Sequence, residues 1–190
     1  MKKLSFAILG LALSLFISSC NPLLKADGGT KGGSSIGTSA SGGSPTMPKE
    51  QPQIGKPLPT FTFQRLDGGT EDLARFIGKP LMLNFWATWC PPCRMEIPHF
   101  VKFYEENRAK GLQIVSLGVT SDSIESQKEF AKTQKIPWVL GMDTSNVARF
   151  WGIRGIPTTY FVDSRGIVVD IQVGAMDESI LQQKASLIFK

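Results

Sequence analysis

The six residues Leu81-Met82-Leu83-Asn84-Phe85-Trp86 run without polar–apolar alternation, the pattern of a strand covered on both faces. Such a strand needs packed layers on either side, so the surrounding chain is expected to be an α/β domain with this strand at the centre of its sheet. Directly after it stand Trp89 and Cys90-Pro91-Pro92-Cys93. A helical pattern then runs over residues 90–110, with Pro98 inside it as an expected kink and Gly111 as its stop.

That placement turns two cysteines into a redox centre. Backbone N–H groups and the positive end of the helix macrodipole favour a thiolate at Cys90, and the thiolate is the form that attacks disulfides. Cys90 is therefore expected to be the nucleophile. Cys93 lies one helical turn further in, better shielded and close enough to attack a mixed disulfide, which makes it the resolving thiol.

The N-terminal end reads as an export signal. Met1-Lys2-Lys3 is a short basic start, residues 4–17 are a fourteen-residue apolar stretch, and Ser18-Ser19-Cys20 is a small-residue cleavage region. A permanent membrane helix needs roughly twenty apolar residues, so a spanning segment is the weaker reading. Ile17-Ser18-Ser19-Cys20 also resembles the bacterial lipobox, in which the cysteine is lipid-modified and becomes the mature N-terminus; the alternative is that Cys20 is lost with an ordinary signal peptide. With Cys20 acylated, the three cysteines reduce to one pair, Cys90 and Cys93. An exported domain with no further cysteines has no structural disulfide framework, so its pair is expected to be reactive.

Residues 21–53 are dominated by Gly, Ser, Thr and Pro and contain almost nothing to fill a core. They are expected to form a tether with a mean reach of roughly 30 Å, carrying a domain over residues 54–190 above a membrane. The formal charge of +5 falls to +3 when Lys2 and Lys3 leave with the signal, and no dense basic run remains. Nucleic-acid binding is thereby disfavoured. No repeat is evident.

Within the domain, residues 61–66 alternate as a half-buried strand does, and Asp67-Gly68-Gly69 is the turn of an N-terminal hairpin. Residues 112–119 supply a second buried strand, 123–134 a crossover helix, 138–142 a short strand and 145–151 a short helix. Residues 158–162 and 167–173 read as an antiparallel pair joined by Asp163-Ser164-Arg165-Gly166. An amphipathic helix over 177–189, with Ile180, Leu181, Leu187 and Ile188 as its apolar positions, closes the chain.

Phe85-Trp86-Ala87-Thr88-Trp89-Cys90-Pro91-Pro92-Cys93-Arg94, followed by Pro98 and later by Gly155-Ile156-Pro157-Thr158, resembles the thioredoxin superfamily. The lipid tether, the N-terminal hairpin, Glu96 three residues after Cys93 and the extra segment between Ser116 and Arg154 resemble its membrane-anchored TlpA/ResA/DsbE-type thiol-disulfide oxidoreductases. The resemblance, covering about residues 54–190, implies a three-layer thioredoxin-like fold with a central mixed sheet. It implies a cis Pro157 facing the cysteines, with the Ile156 backbone free to hydrogen-bond an extended client. It also implies client proteins with disulfides, such as apocytochrome c, a membrane protein as electron donor, and an extracytoplasmic location.

Thioredoxins resemble this chain at position 84 but carry a buried aspartate there, and Asn84 performs no acid–base chemistry. Glu96, on the same helix face as Cys93, becomes the candidate proton carrier, as in the TlpA/ResA type. Trp86 ends the buried strand and reads as packing, whereas Trp89 is expected to shield the thiols and offer a partner surface. Arg94 reads as a solvated cation and His99 as a satisfied helix residue outside the mechanism. No cofactor is expected. Zinc would need two further ligands, and the chain has one histidine and no spare cysteine. Two alternatives are a peroxiredoxin-like thiol peroxidase, for which Thr88 stands one residue too near Cys90, and a copper-delivery protein, for which the cysteine spacing is too short and a distant histidine is missing.

Overall fold

The computed structural model describes residues 46–190. The signal segment, Cys20 and the tether as far as residue 45 lie outside the described residues. In chain order the elements are β1 (Thr62–Arg65), β2 (Thr70–Asp72), β3 (Leu81–Trp86), α1 (Pro91–Asn107), β4 (Gln113–Gly118), α2 (Ile124–Gln134), β5 (Val139–Met142), α3 (Val147–Phe150), β6 (Thr158–Val162), β7 (Val168–Val173) and α4 (Glu178–Ala185). Seven strands form one mixed sheet in the order β2-β1-β5-β4-β3-β6-β7. Strands β3, β4 and β5 are parallel, while β1 and β6 run antiparallel to their neighbours β5 and β3.

By position the middle strand is β4, and β3 is its neighbour. All six residues of β3 are nonetheless buried, as expected of a strand with layers on both faces. Strand alternation sends Leu81, Leu83 and Phe85 into one core with Phe61, Phe63, Trp151 and Tyr160. Met82 faces the other way, into a second core with Ile97 and Phe100 of α1, Met176 and Leu181. Asn84 and Trp86 share that second face by their spacing of two.

Helix α1 opens with Pro91 and Pro92, whose missing N–H groups cost nothing in the first turn. It runs through Pro98 and is followed by a 3-10 turn, Arg108–Lys110, and by Gly111 at φ 88°. That left-handed angle is one glycine adopts without a Cβ clash. The extra segment contributes α2, β5 and α3. Ser123 caps α2 by accepting the Ser126 N–H at 3.0 Å, and buried Asp143 accepts the Val147 and Ala148 N–H groups at 2.7 and 2.8 Å, starting α3.

The closing helix differs from its expected face. Leu181 and Ala185 of α4 and Ile188 of the following 3-10 turn are buried, whereas Ile180 is exposed and Leu187 only partly covered. Steps of three and four residues follow the helical repeat, so position 180 falls beside the buried stripe. Residues 46–53, tether-like in composition, lie against the domain. Thr46 exchanges two hydrogen bonds with Thr62, Gln51 Nε2 donates to the Phe150 carbonyl at 2.8 Å, and Pro48 is buried.

Candidate active site

Cys90 occupies the N-cap of α1, in extended conformation, while Cys93 lies in the first turn. Strand β3 ends four residues earlier, so the strand-to-helix connection alone aims Cys90 across the end of the sheet. The two cysteines are joined by a disulfide, with Cα atoms 5.3 Å apart. The Cys93 N–H donates to Cys90 Sγ at 3.2 Å. A sulfur accepting a helix N-terminal N–H is held where negative charge is favoured, so reduction would leave Cys90 as the more stabilised thiolate. Exposure grades the pair in the same sense: Cys90 is 3% and Cys93 0% exposed.

The sulfurs sit in a small apolar cluster with Trp86 and Ala87, bordered by Val119, Phe130, Leu140 and Ile156. The indole covering the pair is thus that of Trp86, a residue whose place in the sequence suggests packing alone. Trp89 lies outside that buried cluster. Its indole is 56% exposed, free to meet a partner, and Met95 nearby on α1 is 71% exposed. Spacing along β3 could have revealed Trp86, because it shares a strand face with Asn84 and points toward α1. The loop carrying Trp89 is pinned by Asp122, which accepts from the Thr88 N–H and hydroxyl, both at 2.7 Å. Arg94 is not merely solvated, since its guanidinium lies over the Phe130 ring, 5.7 Å from the centroid.

Across the site, the Ile156–Pro157 bond is cis. The Ile156 carbonyl oxygen lies 3.6 Å from Cys90 Sγ. Among the described residues the Ile156 backbone makes no backbone hydrogen bond, whereas its neighbours are engaged: the Pro157 carbonyl accepts from Gly174 N–H at 2.8 Å, and the Gly155 carbonyl from the Thr158 hydroxyl at 2.7 Å. An unpaired main-chain segment therefore lies beside the reactive sulfur, within reach of an added strand.

Glu96 is 1% exposed, one turn after Cys93 on α1. Oε1 accepts from Asn84 Nδ2 at 3.1 Å, and Oε2 from the Met176 N–H at 3.3 Å. Burial pushes its carboxyl up to about 8, partly opposed by those two donors. A carboxyl that titrates near neutrality can hold or release a proton under working conditions. The pairing of β3 with β6 sets Thr159 opposite Asn84, and Asn84 Nδ2 also reaches Thr159 Oγ1 at 3.0 Å. No signal in the sequence points to Met176 or Thr159, because both arrive by long-range packing. Among the described residues, no group of three or more His, Cys, Asp or Glu side chains is placed to hold a metal ion.

A sequence model described as the AhpC/TSA family matches residues 54–171. The chain belongs to the AhpC/TSA family. It is 36% identical over 137 residues to the thioredoxin-like protein YneN of Bacillus subtilis, covering 71% of this chain and 80% of that one. It is 31% identical over 137 residues to the thiol-disulfide oxidoreductase ResA of Halalkalibacterium halodurans, covering 72% and 77%. Among solved structures, a thioredoxin-family thiol:disulfide interchange protein from Chlorobium tepidum TLS superposes with TM-score 0.65 at 30% identity, covering 73% of this chain and 99% of that one. Another from Chlorobium tepidum, described as a DsbE-type interchange protein, gives 0.67 at 25% identity, covering 74% and 100%. The family, the thioredoxin-like fold and the Cys90–Cys93 pair make this an oxidoreductase of the thiol-disulfide class, of ResA/DsbE type.

Proposed function

We propose that the protein works outside the cytoplasm as a lipid-anchored reductant of disulfides in exported client proteins, apocytochrome c during cytochrome c maturation among them. The observation that carries this reading is Cys90 Sγ at the N-cap of α1, accepting the Cys93 N–H at 3.2 Å and lying 3.6 Å from the Ile156 carbonyl. One sulfur is activated beside a main-chain segment able to receive an extended client, and the second waits one turn deeper.

In the reduced enzyme the Cys90 thiolate attacks a client disulfide, forming a Cys90–client bond and releasing one client thiolate. Cys93 then gives its proton to the Glu96 carboxylate, and its sulfur attacks Cys90. The internal disulfide forms and the second client thiolate leaves. Two electrons have passed from the dithiol to the client, and a membrane protein returns them. Ile156 and Pro157 supply the docking edge, and Trp89 an apolar contact. The lipobox-like Cys20 supplies the anchor.

Equilibration of the Cys90–Cys93 couple with glutathione tests the direction. A potential near that of thioredoxin supports reduction, and one near that of strong oxidases refutes it. Incubating Cys93→Ser with a disulfide-bonded apocytochrome c peptide tests the roles. The mixed disulfide should accumulate on Cys90, whereas accumulation in Cys90→Ser instead would reverse the assignment of the two sulfurs.

A further inference from the structure

Asn84 is buried, with 0% exposure, on the face of β3 that looks toward α1. Its Nδ2 spends both hydrogens, one on Glu96 Oε1 at 3.1 Å and one on Thr159 Oγ1 at 3.0 Å. Its Oδ1 is buried without a partner. An amide that leaves a buried acceptor without a protein partner is held there by the needs of its neighbours.

The geometry of Glu96 states those needs. Oε2 faces the Met176 N–H, which can only donate, so Oε2 must accept in either protonation state. Oε1 meets the other fixed donor, Asn84 Nδ2, so both carboxyl oxygens are placed to accept. The present amide orientation suits a carboxylate, because Nδ2 donates to it. Thr159 holds that orientation, since its hydroxyl oxygen accepts the second Nδ2 hydrogen. An ionised aspartate at position 84 would supply no such donor.

We propose that Asn84, backed by Thr159, is a positioning residue that holds and stabilises the Glu96 carboxylate for the proton of Cys93. Its Nδ2 donates to the carboxylate before Cys93 gives up its proton, and that hydrogen bond is worth less once the acid has formed. The inference rests on the reading of Glu96 as the proton acceptor. The transfer balances within the site: the Cys93 S–H bond breaks, a Glu96 O–H bond forms, and the Cys93 electron pair enters the new disulfide. The titratable neighbours of Glu96 on α1 are Cys93 and His99, and Asp177, next to Met176, has its carboxylate on the Ile180 N–H at 2.8 Å. No charge–charge partner acts on Glu96; burial, the Met176 N–H and the Asn84 amide do.

Asn84→Leu removes this donor. The Glu96 midpoint, read in the oxidised protein from the infrared band of its protonated carboxyl, should rise by about one pH unit, because a hydrogen bond to a charged group outweighs one to a neutral group. The ionised fraction at pH 7, and with it the rate at which Cys93 resolves a preformed Cys90–client disulfide, should fall about tenfold. Thr159→Val should shift both readings the same way by less, and it carries the test should Asn84→Leu not fold. In a Glu96→Gln background, Asn84→Leu should change the resolving rate by less than about twofold. An unmoved midpoint in both variants, or an equal slowing with and without Glu96, overturns the proposal while leaving Glu96 as acceptor. A Glu96→Gln enzyme with the parent's rate and pH profile removes the acceptor reading itself, and the inference falls with it.

Discussion

Replacing Glu96 by Gln should change how stability depends on pH more than any other single surface or core substitution near the site. Its carboxyl is raised from the ordinary value of 4.5 to about 8, chiefly by burial. The folded protein therefore holds a proton that the unfolded chain releases, so stability is full below about 4.5, declines as pH rises and levels off above about 8. A tenfold difference in proton affinity between the folded and unfolded chain is worth ~1.4 kcal/mol, which puts the whole loss on the order of 5 kcal/mol, about half of it between pH 5 and 7. Gln keeps the shape of the side chain and has no proton to lose. Urea unfolding of both oxidised proteins at fixed pH values from 5 to 9, followed by tryptophan fluorescence, gives two curves whose difference isolates this one group. The parent should lose stability relative to Glu96→Gln as pH rises. Parallel curves, differing by less than about 0.5 kcal/mol across the range, would refute the claim that burial holds the proton on Glu96.

Four further outcomes are expected. In the reduced protein, iodoacetamide should label Cys90 well before Cys93 near neutral pH, by mass spectrometry of the cleaved chain; equal or inverted labelling contradicts the N-cap argument. Phe100→Ala, at a fully buried α1 position beside Trp138, should cost about 3–5 kcal/mol in urea unfolding. If the exposed Trp89 side chain is a client contact, Trp89→Ala should raise KM for a disulfide client severalfold and leave kcat within about twofold. Hydrogen peroxide should be consumed no faster by the reduced protein than by its Cys90→Ser variant once simple thiol oxidation is subtracted, and Cys90-dependent turnover would favour the peroxidase alternative.

Much of the site could be read from local pattern. The burial of β3 followed from its unbroken apolar run, and the hairpin from Asp67-Gly68-Gly69. The N-cap position of Cys90 followed from its place between that strand and a helix opened by two prolines. Each depends on residues within a few positions of one another. The roles of the two tryptophans resisted that reading. Trp86 and Trp89 stand three apart with similar neighbours, and only the packing of α1, α2 and the Ile156 loop decides that one covers the sulfurs and the other faces outward.

By itself the sequence determined the asymmetry between Cys90 and Cys93, because a strand end, a helix start and a three-residue spacing are properties of one short stretch of chain. Only the tertiary structure decided the environment of Glu96. Asn84, Thr159 and Met176 come from three other segments, joined by the β3–β6 register and by the approach to α4. Burial and hydrogen-bond partners belong to that assembly, since the free energy of a buried charge depends on every group around it, however distant along the chain.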